Sequence, residues 1–282
     1  MVRRARLDAE LVRRGLARSR QQAAELIAGG RVLVRGVPAT KAATAVETDA
    51  PLIVGQDEGP EWASRGALKL IGALDAFEPA GLSVSGRRCL DAGASTGGFT
   101  DVLLHRGASE VVAADVGYGQ MIWRLRSDER VRVLDRTNVR SLTPEATEGL
   151  VQLTVADLSF ISLRTVLPAL VACTEPDGDL VPMVKPQFEV GRRRLGSGGV
   201  VRDPELRVAA LEEVATAAAT MGLSVRGAVA SPAPGPAGNV EYFLWLRMDA
   251  EREITAAPDT EPATLDESVR ETILTAVREG PQ

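Results

Sequence analysis

Lysine is almost absent from this arginine-rich chain of 282 residues, which has thirty arginines but only Lys41, Lys69 and Lys185. A guanidinium does not release its proton in a protein, whereas a compact ammonium can lose one where its surroundings favour the neutral amine. A lysine kept against such a bias marks a possible proton-transfer site, although composition alone leaves chance retention an equal explanation. A second group is glycine-rich. The segment ending in Asp91 runs into Gly93-Ala-Ser95-Thr96-Gly97-Gly98-Phe99-Thr100, and the next apolar run ends in Asp115. Glycines let ligand atoms approach a backbone whose N–H groups face them at a helix start. A carboxylate one strand away can accept hydrogen bonds from both hydroxyls of a ribose. This is the chemistry of a nucleoside-type cofactor. The glycines fall at 93, 97 and 98, so the dinucleotide spacing G-x-G-x-x-G is absent, as is the G-K-[ST] of a phosphate-binding loop.

These groups need a scaffold. From Arg87 to Met248, short apolar runs alternate with helical patterns, the rhythm of a parallel sheet covered on both faces. Seven strands are expected, at 88–91, 110–115, 131–134, 151–157, 180–185, 224–230 and 240–248. The last two are joined by Ser231-Pro-Ala-Pro-Gly-Pro, too short for a crossover helix, so they should pair antiparallel at an edge. Upstream, Leu7, Leu11 and Val12 form one helical stripe and Gly15 breaks it. Ser19 caps a second helix carrying Ala23, Leu26 and Ile27, and Gly29-Gly30 stops it. Short extended stretches follow at 31–36 and 45–54. The expected division is a small N-terminal α+β domain with its linker at 1–60, an α/β domain at 61–249 and an acidic tail at 250–282, mobile over much of its length apart from a short helix near 265–277.

The charge is uneven. The net charge is -5, yet residues 1–41 carry ten basic residues against Asp8, Glu10 and Glu25, or +7, which leaves -12 for the rest. A compact positive patch on an acidic body suits a partner whose phosphates are gripped at one end. The apolar share of 45 % and charged share of 25 % are ordinary for a globular chain, and no apolar run approaches the roughly 18 residues of a membrane helix. The N-terminus lacks the apolar stretch of a secretory signal, so a cytoplasmic protein is expected. Cys89 and Cys173 lie in segments read as a strand and a helix and should be inert core thiols; no metal site is expected. His105, Trp123 and Trp245 are assigned to packing or surface.

Three stretches, Asp91-Ala-Gly-Ala-Ser-Thr-Gly-Gly-Phe99, Ala156-Asp157-Leu-Ser-Phe-Ile-Ser162 and Val184-Lys185-Pro-Gln-Phe-Glu189, together resemble the TlyA family of rRNA 2′-O-methyltransferases, whose members are often labelled hemolysins. The resemblance runs from about Arg6 to Met248. Residues 5–46 resemble the RNA-binding domain of small-subunit ribosomal protein S-four, and 64–248 an FtsJ-like methyltransferase core. It implies a class I methyltransferase, Rossmann-like fold: a seven-stranded sheet with an antiparallel last strand. S-adenosylmethionine is the implied cofactor, held by Asp91, Gly93, Ser95, Thr96, Gly97, Gly98, Phe99, Asp115 and Asp157. FtsJ enzymes carry a Lys-Asp-Lys-Glu tetrad, and Lys69, Asp157, Lys185 and Glu241 stand in its places.

A ribose hydroxyl is a poor nucleophile until its proton leaves during in-line attack on the methyl group. In this reading Lys185 contacts and activates the hydroxyl while Lys69 and the carboxylates hold and tune it. An ordinary lysine pKa is about 10.4; a second lysine and desolvation lower it and carboxylates raise it. Asp157-Leu-Ser-Phe160 departs from the Asn/Asp-Pro-Pro-aromatic run of adenine amino-methylating enzymes, and neither cysteine stands where a cytosine C5 enzyme needs its nucleophile. The substrate is expected to be ribosomal RNA or ribosomal subunits, with cytidine the implied base and the enzyme a monomer. Arg4, Arg6, Arg18, Arg20 and Arg31, with Arg65 and the run Arg192, Arg193 and Arg194, are the expected RNA contacts. The competing readings are an RNA-binding assembly factor with a decayed site and a membrane-active hemolysin.

Overall fold

The computed structural model describes residues 4–28, 30–54, 61–191, 194–235, 237–248 and 264–281. Two compact units emerge, residues 1–61 and 62–282.

In the first unit, β1 (Arg4–Arg6) leads directly into α1 (Leu7–Arg13), and α2 (Arg20–Ala28) follows. Leu7, Leu11, Ala23 and Ile27 turn inward to meet Val32 and Val46 in a single small core. The Ser19 hydroxyl accepts the Gln22 N–H at 3.1 Å, so the side chain caps α2 as its position suggests. Beyond it lie β2 (Val32–Val34), β3 (Val37–Pro38), β4 (Ala45–Glu47) and β5 (Leu52–Val54). The single extended stretch expected at 45–54 is two strands, because a turn at 48–51 sends them to different sheets: β4 pairs antiparallel with β1, and β5 with β2.

The second unit is a three-layer α/β/α sandwich. Its sheet contains β6 (Arg88–Ala92), β7 (Glu110–Ala114), β8 (Val131–Leu134), β9 (Val151–Ala156), β10 (Thr174–Val184), β11 (Leu223–Ala230) and β12 (Tyr242–Met248), in the order β11-β12-β10-β9-β6-β7-β8. The seven expected strands are present, and β10 begins earlier than expected, with a bulge between Thr174 and Asp179. Strand β12 runs antiparallel to both β11 and β10. The antiparallel β11–β12 pair forms one edge of the sheet as expected, with β11 outermost and β12 one strand in.

Because side chains alternate across a strand, Leu90, Ala92, Val112 and Ala114 feed one core, and Cys89, Val111, Ala113, Leu153 and Val155 the other. Helices α3 (Gly66–Phe77) and α4 (Gly98–His105) and the short α5 (Trp123–Arg126) contribute to the second core, while α6 (Leu163–Cys173) and α8 (Pro204–Thr220) cover the first; the single-turn α7 (Pro186–Glu189) follows β10. Both cysteines are buried free thiols, and burial pushes Cys89 up to about 12.

The acidic segment beyond 249 contains α9 (Glu267–Glu279), which buries Ile273, Ala276 and Val277 against β11 and α8. Its apolar residues recur at helical spacing despite the surrounding acids, and burying them fixes residues 264–281 to the domain rather than leaving them a loose tail. Residues 249–263 lie outside the described ones. Among the described residues, no helix is long and apolar enough to cross a membrane.

Candidate active site

Asp91, Asp115, Asp157, Lys185 and Glu241 lie on or beside one edge of the sheet. Asp91 is in β6, and Asp115, Asp157 and Lys185 directly follow β7, β9 and β10 at their carboxyl ends, where open α/β sheets form their crevice. Glu241 reaches the same edge for the opposite reason: it precedes β12, and only an antiparallel strand has its start there. The Val184–Tyr242 pairing sets Lys185 and Glu241 side by side in register. Lys69 arrives from α3, one turn beyond the helix start.

The glycine-rich loop has a specific steric form. Gly97 adopts φ +101°, and a Cβ there would lie 2.4 Å from a Leu125 methyl; a Cβ on Gly93, at φ +89°, would lie 2.5 Å from the Asp157 carbonyl oxygen. Neither position accepts a side chain without moving its neighbours. Asp115 ties the loop to β7, its two oxygens accepting the Ser95 N–H at 2.8 Å and the Gly117 N–H at 2.6 Å. An ionised carboxylate has further lone pairs, so both oxygens can still accept hydroxyls. Asp91 is completely buried: one oxygen accepts the Thr100 hydroxyl at 2.7 Å, and Oδ1 has no partner among the described residues. Burial, with Asp157 and Asp115 adding repulsion, pushes this carboxyl up to about 7.

Two ion pairs form the tetrad. Lys69 Nζ lies 2.6 Å from Glu241 Oε2, and Lys185 Nζ lies 2.5 Å from Asp157 Oδ1. Lys185 also donates to Ser159 Oγ at 3.1 Å. Glu241 is 1 % exposed and the lysines are 9 % and 7 % exposed. Stripping one partner from such a pair would strand a buried charge at a cost of about 3–5 kcal/mol. Lys69 and Asp157 line a cavity of about 320 Å³ together with Ser64, Arg65, Gly93, Ser95, Thr96, Gly98 and Phe99; Lys185 and Glu241 stand behind them as their partners. A second cavity of about 580 Å³ lies on the other side of Gly93, Ser95 and Asp157, bounded by Asp115, Gln120, Asn138, Ser159 and Phe160. The sheet edge thus offers one pocket bordered by Asp115 and one bordered by Lys69.

Several participants are not among the expected site residues. Ser159 and Gln187 touch the tetrad, the latter donating to Glu241 Oε1 at 3.5 Å. Asp101 accepts the Ala63 N–H at 2.8 Å and pairs with Arg124, fastening the start of α4 to the segment before α3. Such links join residues tens of positions apart, which no local pattern encodes. Asp157-Leu-Ser159 did place the serine two residues from a tetrad member, and that is the signal by which it could have been found.

Of the expected RNA contacts, Arg65 lines the smaller cavity. Arg194 donates to the Val190 carbonyl and pairs with Glu213 at 3.2 Å, while Arg192 and Arg193 lie outside the described residues. In the first unit, buried Asp8 holds both Arg6 and Arg20, at 2.9 and 3.0 Å, and both arginines remain exposed. Arg6 keeps the Asp8 carboxyl well below the usual range. Arg4 pairs with Glu47 at 3.8 Å, Arg18 is exposed and pairs with Glu61, and Arg31, half-buried, leads into β2.

Comparison with known proteins agrees across the whole chain. A profile of the FtsJ-like methyltransferases matches residues 62–248, and one of the S4 domain matches residues 5–50. The 16S/23S rRNA (cytidine-2′-O)-methyltransferase TlyA of Mycobacterium tuberculosis is 59 % identical over 281 residues, covering 100 % of both chains. A Bacillus subtilis protein provisionally called an rRNA methyltransferase is 40 % identical over 95 % of each. A solved structure from Streptococcus thermophilus, of a protein provisionally called a hemolysin, superposes with a TM-score of 0.71 at 36 % identity, covering 99 % of this chain and 98 % of that one.

Proposed function

Since this chain belongs to the TlyA family of FtsJ-like methyltransferases, we propose that it is an S-adenosylmethionine-dependent rRNA 2′-O-methyltransferase acting on cytidine ribose. The observation that supports this most directly is the pair of buried lysine–carboxylate contacts beside a glycine-loop cavity at the carboxyl edge of the sheet.

The donor set fits the cofactor. Asp115 offers acceptors for a ribose diol, the glycines admit a ligand against the backbone, and the orphaned Asp91 Oδ1 offers a buried acceptor beneath the loop. When bound, S-adenosylmethionine supplies an electrophilic methyl group. The protein's own task is to prepare the oxygen. Lys185 can receive the proton of the 2′-hydroxyl only as the neutral amine, so its ammonium must first give a proton to solvent; the amine then takes the hydroxyl proton as that oxygen attacks, with Asp157 and Ser159 fixing the direction of its Nζ. Lys69, tied to Glu241, supplies positive charge on the same side of the pocket, where negative charge develops on the ribose oxygen. Arg6 and Arg20, pre-oriented by Asp8, serve as phosphate contacts of the first unit, and a cytoplasmic site of action follows from the rRNA substrate.

The test is transfer of a labelled methyl group from S-adenosylmethionine to rRNA, mapped by resistance of the modified position to alkaline cleavage. A methyl group found on a base would overturn the proposal. Lys185→Arg still donates to Asp157 but cannot lose its proton to become an acceptor, so its rate should fall at least a hundredfold with S-adenosylhomocysteine affinity within threefold of wild type. An active arginine variant would rule out proton abstraction by Lys185.

A further inference from the structure

Two of the sequence stretches singled out above carry a tetrad residue at their second position, Asp157 or Lys185, and end at a residue with no assigned role, Ser162 or Glu189. In the folded chain the far ends meet. Glu189 is 3 % exposed, and its carboxylate accepts the Ser162 hydroxyl at 2.5 Å and the Leu163 N–H at 2.7 Å. Leu163 opens α6, whose N-terminal N–H groups lack intrahelical partners. Ser162 stands at the cap position, yet its side chain makes no capping bond to its own helix and donates instead to Glu189. A carboxylate delivered from 26 residues downstream takes over the cap, which suits the positive end of a helix dipole.

The two segments are thereby closed at both ends. At the near end Lys185 grips Asp157 and Ser159; in the middle the rings of Phe160 and Phe188 lie 5.3 Å apart; at the far end Glu189 holds Ser162 and Leu163. Arg164 fastens the far end further. Its Nε lies 3.5 Å from Glu189 Oε2, and its Nη1 lies 3.0 Å from Glu213 of α8. Phe160 sits between these closures at φ +64°, a left-handed conformation costly for a bulky side chain, so the segment keeps its shape only because its ends are held. The short span of α7 leaves no slack between Glu189 and Lys185.

The geometry points to Glu189 as a positioning residue for the methyl transfer: with Ser162 it latches the Asp157 segment to the Lys185 segment and so sets where the Lys185 Nζ stands. The inference rests on the function proposed above. Ser159 and Phe160 of the latched segment border the larger cavity, but Ser162 and Glu189 line neither cavity, so the latch should govern turnover more than cofactor binding.

Three variants test it in the full-length protein. Glu189→Ala should lower single-turnover methylation at least tenfold with S-adenosylhomocysteine affinity within threefold. Ser162→Ala should lower it about threefold. Glu189→Gln, whose amide can still accept the Leu163 N–H and donate to Ser162, should restore the rate to within threefold of wild type. Hydrogen exchange provides an arm that needs no activity: amides of 157–163 and 185–190 should exchange at least tenfold faster in Glu189→Ala, with 93–98 unchanged. A wild-type rate in folded Glu189→Ala, or in Ser162→Ala should the former not fold, overturns the inference; so does a parallel loss of rate and cofactor affinity. If the wild type fails to methylate ribose, the proposed function falls, and unchanged exchange in the Lys185 segment would still overturn the latch by itself.

Discussion

Asp91 is a buried carboxyl whose ionisation should cost the free protein stability. Its folded pKa, about 7, lies above the roughly 3.9 of an unfolded aspartate, so the folded state holds the proton more tightly. Any stability this proton binding lends is therefore complete below about pH 4 and disappears as pH rises through about 7. Comparing wild type with Asp91→Asn, the difference in unfolding free energy should shift against the wild type between pH 4 and 8 in the absence of cofactor. At pH 8 the same variant should bind S-adenosylhomocysteine at least tenfold more weakly, as measured by calorimetry. A pH-independent stability difference would show that Asp91 is ionised throughout. The lysines illustrate the complementary case, in which each buried charge is met by a carboxylate and the cost of burial is offset by short contacts.

At the level of elements, the glycine loop and strand β12 do the placing. Gly97 combines a left-handed backbone with close packing against Leu125, so a methyl group there must shift either the loop or α5. Gly97→Ala should fold, because β6 and α4 are buried independently of the loop's tip. It should nevertheless weaken cofactor binding at least tenfold, or about 1.4 kcal/mol, in a titration; unchanged affinity would mean that the loop does not approach the ligand. Strand β12 works by direction. The Pro/Gly turn at 231–235 is too short to carry the chain across the sheet, so β12 must return antiparallel, and this alone delivers Glu241 to Lys69.

Across the molecule, the C-terminal helix is the feature most at odds with its composition. α9 is separated from β12 by the acidic segment 249–263, yet Ile273 is fully buried in the same core as Leu211 and Leu244. Ile273→Ala should cost about 2–5 kcal/mol of stability, measured by denaturant unfolding of the methyltransferase transition; a loss under about 0.5 kcal/mol would mean that the helix is dispensable to the core. The charge division operates along the chain, because +7 concentrated on residues 1–41 against -12 on the rest orients a polyanion before any specific contact forms.

The strand rhythm, the glycine loop, the acid closing β7 and the retained lysines were all readable along the chain, since each rests on local periodicity or on a residue type with few physical uses. Those signals suffice for an α/β domain that binds a nucleoside cofactor, and motif resemblance extends them to the tetrad. The pairings required folding. Nothing in the one-dimensional order says that Lys69 meets Glu241 rather than Asp157, that Glu189 caps a helix begun 26 residues earlier, or that Asp8 holds two arginines at once. An ion pair or a shared cap depends on distances of 2.5–3.0 Å between residues far apart in sequence, and chain reversal and sheet order set those distances while the local pattern stays the same.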